Sequence, residues 1–300
     1  MLAWTNIAVT NVQTLPCCRF IRLKARLRST VVGSKVHEYN ETPTQIRMRM
    51  LVALMVNDAA PAIEGRVQDL NQKGFSNILL VIPTLNEEES IQSLVDEAKA
   101  CGLTNVLVVD GFSTDKTREA AMAAGATVRE QEFGVGKGCG IRTGMKLFLQ
   151  SNADLLCIID GDTTNIPSDL TQMIELTKDG NADVVLGSRI LGKREPHSMP
   201  ALSYASNLIV SFLLGAKFRR LFTDVQTGYW VFARAAVKRI YPLIHSTGFE
   251  IELELFVTAL RQKLRVSELP VGYRLRKGAT KFRFRLRIRN LYYALKYLAS

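Results

Sequence analysis

The chain has 300 residues, 47% of them hydrophobic, enough for one large domain with a sizeable core and terminal appendages. Its five cysteines have no paired spacing and its three histidines are far apart, which excludes a disulfide scaffold and a histidine-based zinc site and points to a reducing compartment. The net charge of +11 sits at the ends: residues 1–37 carry six Lys/Arg and residues 271–300 nine, both without an acid, which leaves −4 for residues 38–270. A mildly acidic body argues against nucleic acid as a partner, and basic termini suit an anionic membrane surface. No stretch reaches the roughly 18 apolar residues of a transmembrane helix, so the expectation is cytoplasmic, peripheral attachment to the cytoplasmic face of a membrane.

Residues 1–74 read as an N-terminal extension, partly disordered, with Ile63, Val67 and Leu70 on one face of a helix near 59–73. The acid-free residues 1–47 are compatible with a transit peptide or a plain disordered extension. From Ile78 on, strands and helices alternate. Ile78–Ile82 is a strand ended by Pro83, Glu87–Cys101 a helix, and Val106–Val109 a strand running into Asp110-Gly111. Thr114 or Asp115 can cap the helix that follows; Ala126–Val128 is a short strand, and Lys137–Leu149 a helix. The apolar run Leu155–Ile159 predicts a strand buried on both faces and leads into Asp160-Gly161-Asp162. A helix from about Pro167, the strand Asp183–Leu186, helices near 201–216, 233–243 and 249–263, and an edge strand over 265–271 complete the alternation. Such alternation predicts an α/β fold with a mainly parallel central sheet and helices on both faces. Residues 281–289 alternate basic and apolar; beyond them Ile288, Leu291, Tyr292, Leu295 and Leu298 recur at helical spacing. That stripe suits either an interfacial helix or one docked on the body with a solvated basic face.

The polar clusters follow strands. In a parallel sheet Pro83–Glu87, Asp110 and Asp160/Asp162 share one edge, where open α/β sheets bind ligands. Asp110 can accept hydrogen bonds from a nucleobase or ribose, while Asp160 and Asp162 offer hard oxygens to Mg2+ or Mn2+ bridging a diphosphate. Gly161 would let the backbone turn so that both carboxylates face one ion. Phe133–Gly140 holds four glycines and Lys137 ahead of a helix, a suitable anion cradle, without Walker A or dinucleotide-fold spacing. Thr223–Gly228 is a further polar run; Asp224 there could orient a sugar hydroxyl or act as general base, and the neighbouring Tyr229, Trp230 and Phe232 suit a sugar face or a lipid.

The ordered set Pro83–Glu87, Val109–Asp115, Gly136–Gly138, Asp160–Asp162, Gly187–Arg189, Thr223–Gly228 and Gly248–Glu252 resembles inverting GT-A glycosyltransferases of family 2. The likeness is greatest to polyprenyl-phosphate sugar transferases of the dolichyl-phosphate mannosyltransferase or glucosyltransferase kind. It covers about Ile78 to Lys281, with 75–272 as the GT-A domain and 273–300 as a basic amphipathic C-terminal segment.

The resemblance implies roles. Pro83, Glu87 and Asp110 would hold the nucleoside of a UDP- or GDP-hexose, Lys137 would approach its phosphates, and Asp160 and Asp162 would be the metal-binding DxD pair. Arg189, Asp224 and Gln226 would face the sugar and the acceptor, a polyprenyl phosphate, with Arg274 and Arg276 neutralising phosphates. Catalysis would rest on Asp162, Asp224, Gln226 and Arg189 through positioning and metal support of the leaving group. Thr164, Asn165 and Phe112 depart from the usual family pattern and bear on base and sugar preference. A hydroxyl acceptor with Asp224 as base, or a catalytically silent nucleotide-binding membrane scaffold, are the rival readings.

Overall fold

The computed structural model describes residues 77–277 and 284–299; the helix expected near 59–73 and the alternating residues 281–283 lie outside them. Seven strands form one sheet in the order β3-β2-β1-β4-β6-β5-β7. They are β1 (Ile78–Thr84), β2 (Val106–Asp110), β3 (Thr127–Glu130), β4 (Leu155–Ile158), β5 (Val184–Ser188), β6 (Trp230–Ala233) and β7 (Val266–Pro270). Every pairing is parallel except those of β6, which runs antiparallel between β4 and β5.

The helices are α1 (Ile91–Ala100), α2 (Thr117–Ala123), α3 (Lys137–Gln150), α4 (Leu170–Lys178), α5 (Ala201–Lys217), α6 (Arg234–Ile240), α7 (Ile251–Arg261) and α8 (Phe284–Ala299). They divide between the two sheet faces, and the strands show why. Side chains alternate along β1, so Leu79 and Val81 join one core cluster while Ile78, Leu80 and Ile82 join the other. The first cluster is roofed by Ile141, Met145 and Phe148 of α3 and by residues of α5 to α8; the second by Ile91, Leu94 and Val95 of α1 with α4. Apolar runs such as Leu155–Ile158 contain no polar alternation because both faces of their strand are covered.

Strand β6 corrects the sequence reading. Tyr229, Trp230 and Phe232 offer no face to a sugar or lipid; all three are fully buried. Trp230 stacks on Phe232 with centroids 5.6 Å apart in one core, and Tyr229 and Val231 fill the other. The helix expected over 233–243 is therefore split into the end of β6, α6 and a 3-10 turn at Tyr241–Leu243.

Helix α8 combines the two alternatives for the C-terminal stripe. Ala294 is fully buried and Tyr293, Tyr297 and Leu298 pack on the core. Lys217 Nζ donates to the carbonyls of Tyr297 and Leu298 at 2.7 and 3.0 Å, which satisfies two C-terminal acceptors with a cation. Arg289 pairs with Glu250 at 2.9 Å. Leu291, Tyr292 and Leu295 remain exposed on the outer side.

Candidate active site

Strands β1, β2 and β4 end at the same sheet edge, and each exit contains a non-glycine residue with positive φ: Asn86 (50°), Phe112 (68°) and Thr163 (59°). A left-handed conformation costs an ordinary residue about 1 kcal/mol or more, so three together need the surroundings to hold them. The loops do so mutually. Asn86 N donates to Ser113 Oγ at 2.8 Å, and Thr114 N donates to Asn86 Oδ1 at 2.8 Å. Ser90 Oγ donates to the Gly161 carbonyl at 2.8 Å, which fixes the backbone between the two strand-end carboxylates. Asp115, one of the two expected caps, accepts the Thr117 N–H of α2 at 3.0 Å.

Asp160 and Asp162 line one cavity of about 510 Å³. Lys137, at the start of α3, lies 2.7 Å from Asp160 Oδ1 and also pairs with Glu252 of α7. Burial opposes the Lys137 charge, but Asp160 and Glu252 outweigh it and hold the ammonium above its ordinary pKa. Glu252 is raised above the usual carboxylate range, chiefly by burial and then by Asp160, against the pull of Lys137. Asp162 Oδ1 accepts the Thr164 hydroxyl at 2.6 Å, and its Oδ2 meets Arg276 Nη1 at 2.5 Å. The other guanidinium nitrogen of Arg276 reaches Glu87 at 2.5 Å, and its Nε is buried without a partner, a donor left for an anion.

Two glycines make this packing possible. A Cβ on Gly228 would lie 2.1 Å from Asp160 Oδ2, so only glycine lets the 223–228 turn touch that carboxylate. Gly136, φ 130°, starts α3 where a Cβ would sit 2.4 Å from the Thr247 carbonyl. Gly161 serves close approach: a Cβ there would meet Thr84 Cγ2 at 2.8 Å, and the positive φ of this turn belongs to Thr163.

A second network surrounds Arg189, at the end of β5. Its Nε and Nη2 contact Asp224 Oδ2 and Oδ1 at 2.7 and 2.8 Å, and Nη2 also donates to the Gln226 carbonyl at 2.9 Å. Arg189 N and Asn207 Nδ2 donate to the remaining acceptor positions of Asp224, each at 3.0 Å. Behind this pair Glu268 of β7 accepts Thr223 N and Asp224 N at 2.9 and 2.8 Å. Burial pushes the Glu268 carboxyl up to about 7, against the lowering effect of these amides.

Of the residues expected to form the site, Pro83, Glu87, Lys137, Asp160, Asp162 and Arg189 line the cavity together with Gln226 and Arg276. Three do not. Asp110 is fully buried, with Oδ2 held by Ser113 N at 3.0 Å and Arg118 Nε at 2.6 Å; Oδ1 has no partner, and Gly111 is what reaches the cavity. Asp224 is fully buried behind Arg189. Arg274 turns away to Glu97 of α1 at 2.9 Å, while Tyr273, Leu275 and Arg276 face inward. Glu252, Gln131, Asn290 and Glu268 escaped the sequence reading as site groups. Glu252 lay inside a quoted motif, whereas Asn290 had no local signal.

Among the described residues no group of three or more His, Cys, Asp or Glu could hold a metal ion. Two hard carboxylates that already attract the cations Lys137 and Arg276 nevertheless fit a divalent ion completed by substrate phosphates and water.

A mainly parallel sheet whose strand ends bring a carboxylate pair and several cations into one cavity defines a nucleotide-sugar transferase of GT-A architecture. The chain belongs to glycosyl transferase family 2, whose model matches residues 79–241, and it is a glycosyltransferase. It is similar to a dolichyl-phosphate hexose transferase of Haloferax volcanii, 32% identical over 69% of this chain and 87% of the relative. It is similar as well to a UDP-N-acetylglucosamine–dolichyl-phosphate N-acetylglucosaminyltransferase of Methanococcus voltae, 28% identical over 65% and 84%. Among solved structures, glucosyl-3-phosphoglycerate synthase of Mycobacterium tuberculosis, crystallised with Mn2+, UDP and phosphoglyceric acid, superposes with TM-score 0.60. The match covers 78% of this chain and 82% of the synthase at 18% identity, a likeness of fold.

Proposed function

We propose that this enzyme moves a hexose from a nucleotide sugar to a polyprenyl phosphate at a membrane surface, inverting the anomeric centre. One observation carries the reading: the cavity holds two separate cationic groups. Lys137 and Arg276 pair with the strand-end carboxylates, whereas Arg189 belongs to the Asp224 network. Two such groups fit two phosphorylated substrates, a donor diphosphate and an acceptor phosphate. Relatives named as dolichyl-phosphate sugar transferases support the acceptor class.

Asp160 and Asp162 would hold Mg2+ or Mn2+ on the diphosphate, and the ion would supply charge stabilisation for the leaving nucleoside diphosphate. Lys137 and Arg276 turn their donors from these carboxylates to the phosphate oxygens. Glu87 and Gly111, the latter backed by the buried Asp110, bound the nucleoside. Arg189, kept rigid by Asp224, orients the acceptor phosphate in line with the anomeric carbon. A phosphate oxygen is already anionic at neutral pH, so its attack needs orientation and no strong base. A hydroxyl acceptor would need a base, and Asp224, whose oxygens are engaged by Arg189 and Asn207, is poorly disposed to be one.

No described helix is long and apolar enough to cross a membrane. Exposed Leu291, Tyr292 and Leu295 on α8, with Ile209 and Phe212 on α5, would instead rest on the lipid surface. The reading is tested by incubating the full chain with polyprenyl phosphate, Mn2+ and labelled UDP- and GDP-hexoses. Label should enter the organic phase with one donor; absence of organic-phase label with every donor would contradict the proposal.

A further inference from the structure

One polar side chain of the cavity stands out, because its buried amide oxygen is uncommitted. Asn290 Oδ1 is buried with no hydrogen-bond partner among the described residues, and the residue is 2% exposed and lines the cavity. Glu252 is 4% exposed, pairs with Lys137 and lines the same cavity. Gln226 lines the cavity beside them, with its backbone carbonyl accepting from Arg189. A buried amide oxygen without a donor is costly, and such a group in a cavity marks where a ligand donor belongs.

The chemistry narrows the ligand. Phosphate oxygens are acceptors only and cannot satisfy a carboxylate or an amide oxygen, and they are served by Lys137, Arg189 and Arg276. A prenyl chain offers no polar atom. A hydroxyl both donates and accepts, which suits an amide beside a carboxylate. We infer that Asn290 of α8 and Glu252 of α7, with Gln226, form the wall that reads the hydroxyl groups of the donor hexose. The inference rests on the nucleotide-sugar reading above and is independent of the acceptor. Through Glu252 and Asn290 it places part of the sugar selectivity in helices beyond residue 241, where the family match ends. It also gives α8 a role within the cavity, and the Arg289–Glu250 pair and Lys217 hold that helix in place.

The test is calorimetry on the full chain with Mn2+, titrating each of several UDP- and GDP-hexoses and the corresponding nucleoside diphosphates. Asn290→Ala should weaken the preferred nucleotide sugar about tenfold and leave its nucleoside diphosphate within twofold. Glu252→Gln should narrow the preference between hexose epimers. Equal loss for nucleotide and nucleotide sugar in Asn290→Ala would show a merely structural residue and overturn the inference. Unchanged affinity for both, or no discrimination among hexoses by the unmodified enzyme, would overturn it as well. Failure of transfer to polyprenyl phosphate would leave these affinities untouched, so the two readings fail separately.

Discussion

Arg276 Nη1 lies 2.5 Å from Asp162 Oδ2, so the second carboxylate of the strand-end pair is neutralised by the chain's own guanidinium. The same guanidinium ties Glu87 at 2.5 Å. A divalent ion held by Asp162, as proposed, would compete with Arg276 for that carboxylate, and a donor diphosphate would give Arg276 another anion.

Arg276→Gln should accordingly raise the KM for nucleotide sugar at least tenfold while metal alone binds no more weakly, and even more tightly. Donor kinetics and Mn2+ titration without nucleotide read the two effects separately. Weaker binding of the bare metal would contradict the competition.

Gly228→Ala places a methyl group where Asp160 Oδ2 now lies. Activity should fall by a hundredfold or more, with a smaller effect on folding, because the 223–228 turn can shift outward only by moving the carboxylate. Steady-state rates beside a thermal unfolding curve would show this; near-normal turnover would refute the contact.

Asp224→Ala leaves Arg189, whose side chain is only 13% exposed, without its counter-charge. Breaking a buried pair costs about 3–5 kcal/mol, so denaturant unfolding should show a loss of that order. A variant as stable as the unmodified protein would restore Asp224 as a free base.

Glu268 supplies a pH dependence. Its folded pKa of about 7 lies above the ordinary 4.5, so between those values the native state keeps a proton that the unfolded chain has released. Stability from this group is present at low pH and declines as pH rises through that window. Glu268→Gln removes the dependence, and its stability relative to the unmodified protein should rise from pH 5 to pH 7.5. Urea unfolding at both values checks this; a constant difference would contradict it.

The sheet edge was legible because β1, β2 and β4 are apolar runs that end in an acid or are followed by one within three residues, and chain order alone places such ends together. β6 was hidden: four residues, the first three of them buried, followed at once by a helix, present no period that distinguishes strand from core helix. Asp224 lies in a motif run and Arg274 in the basic C-terminal segment, yet which way each points depends on partners, Arg189 and Glu97, that are remote in sequence. Asn290 is one polar residue in a basic, amphipathic helix, and only the docking of α8 on α5 and α7 reveals its place. For that reason deletion of residues 281–300 cannot separate membrane attachment from site chemistry, whereas polar substitution of Leu291, Tyr292 and Leu295 can. That triple variant should lose sedimentation with phosphatidylserine vesicles and keep nucleotide binding.

The central claim is transfer to a phosphate with inversion, and mass spectrometry with anomeric NMR of the lipid product from an α-linked donor measures it most directly. The account predicts a β-linked hexosyl phosphopolyprenol that disappears in Asp162→Ala. An α-linked product, or a hexose attached to a hydroxyl acceptor in preference to the lipid phosphate, would contradict it.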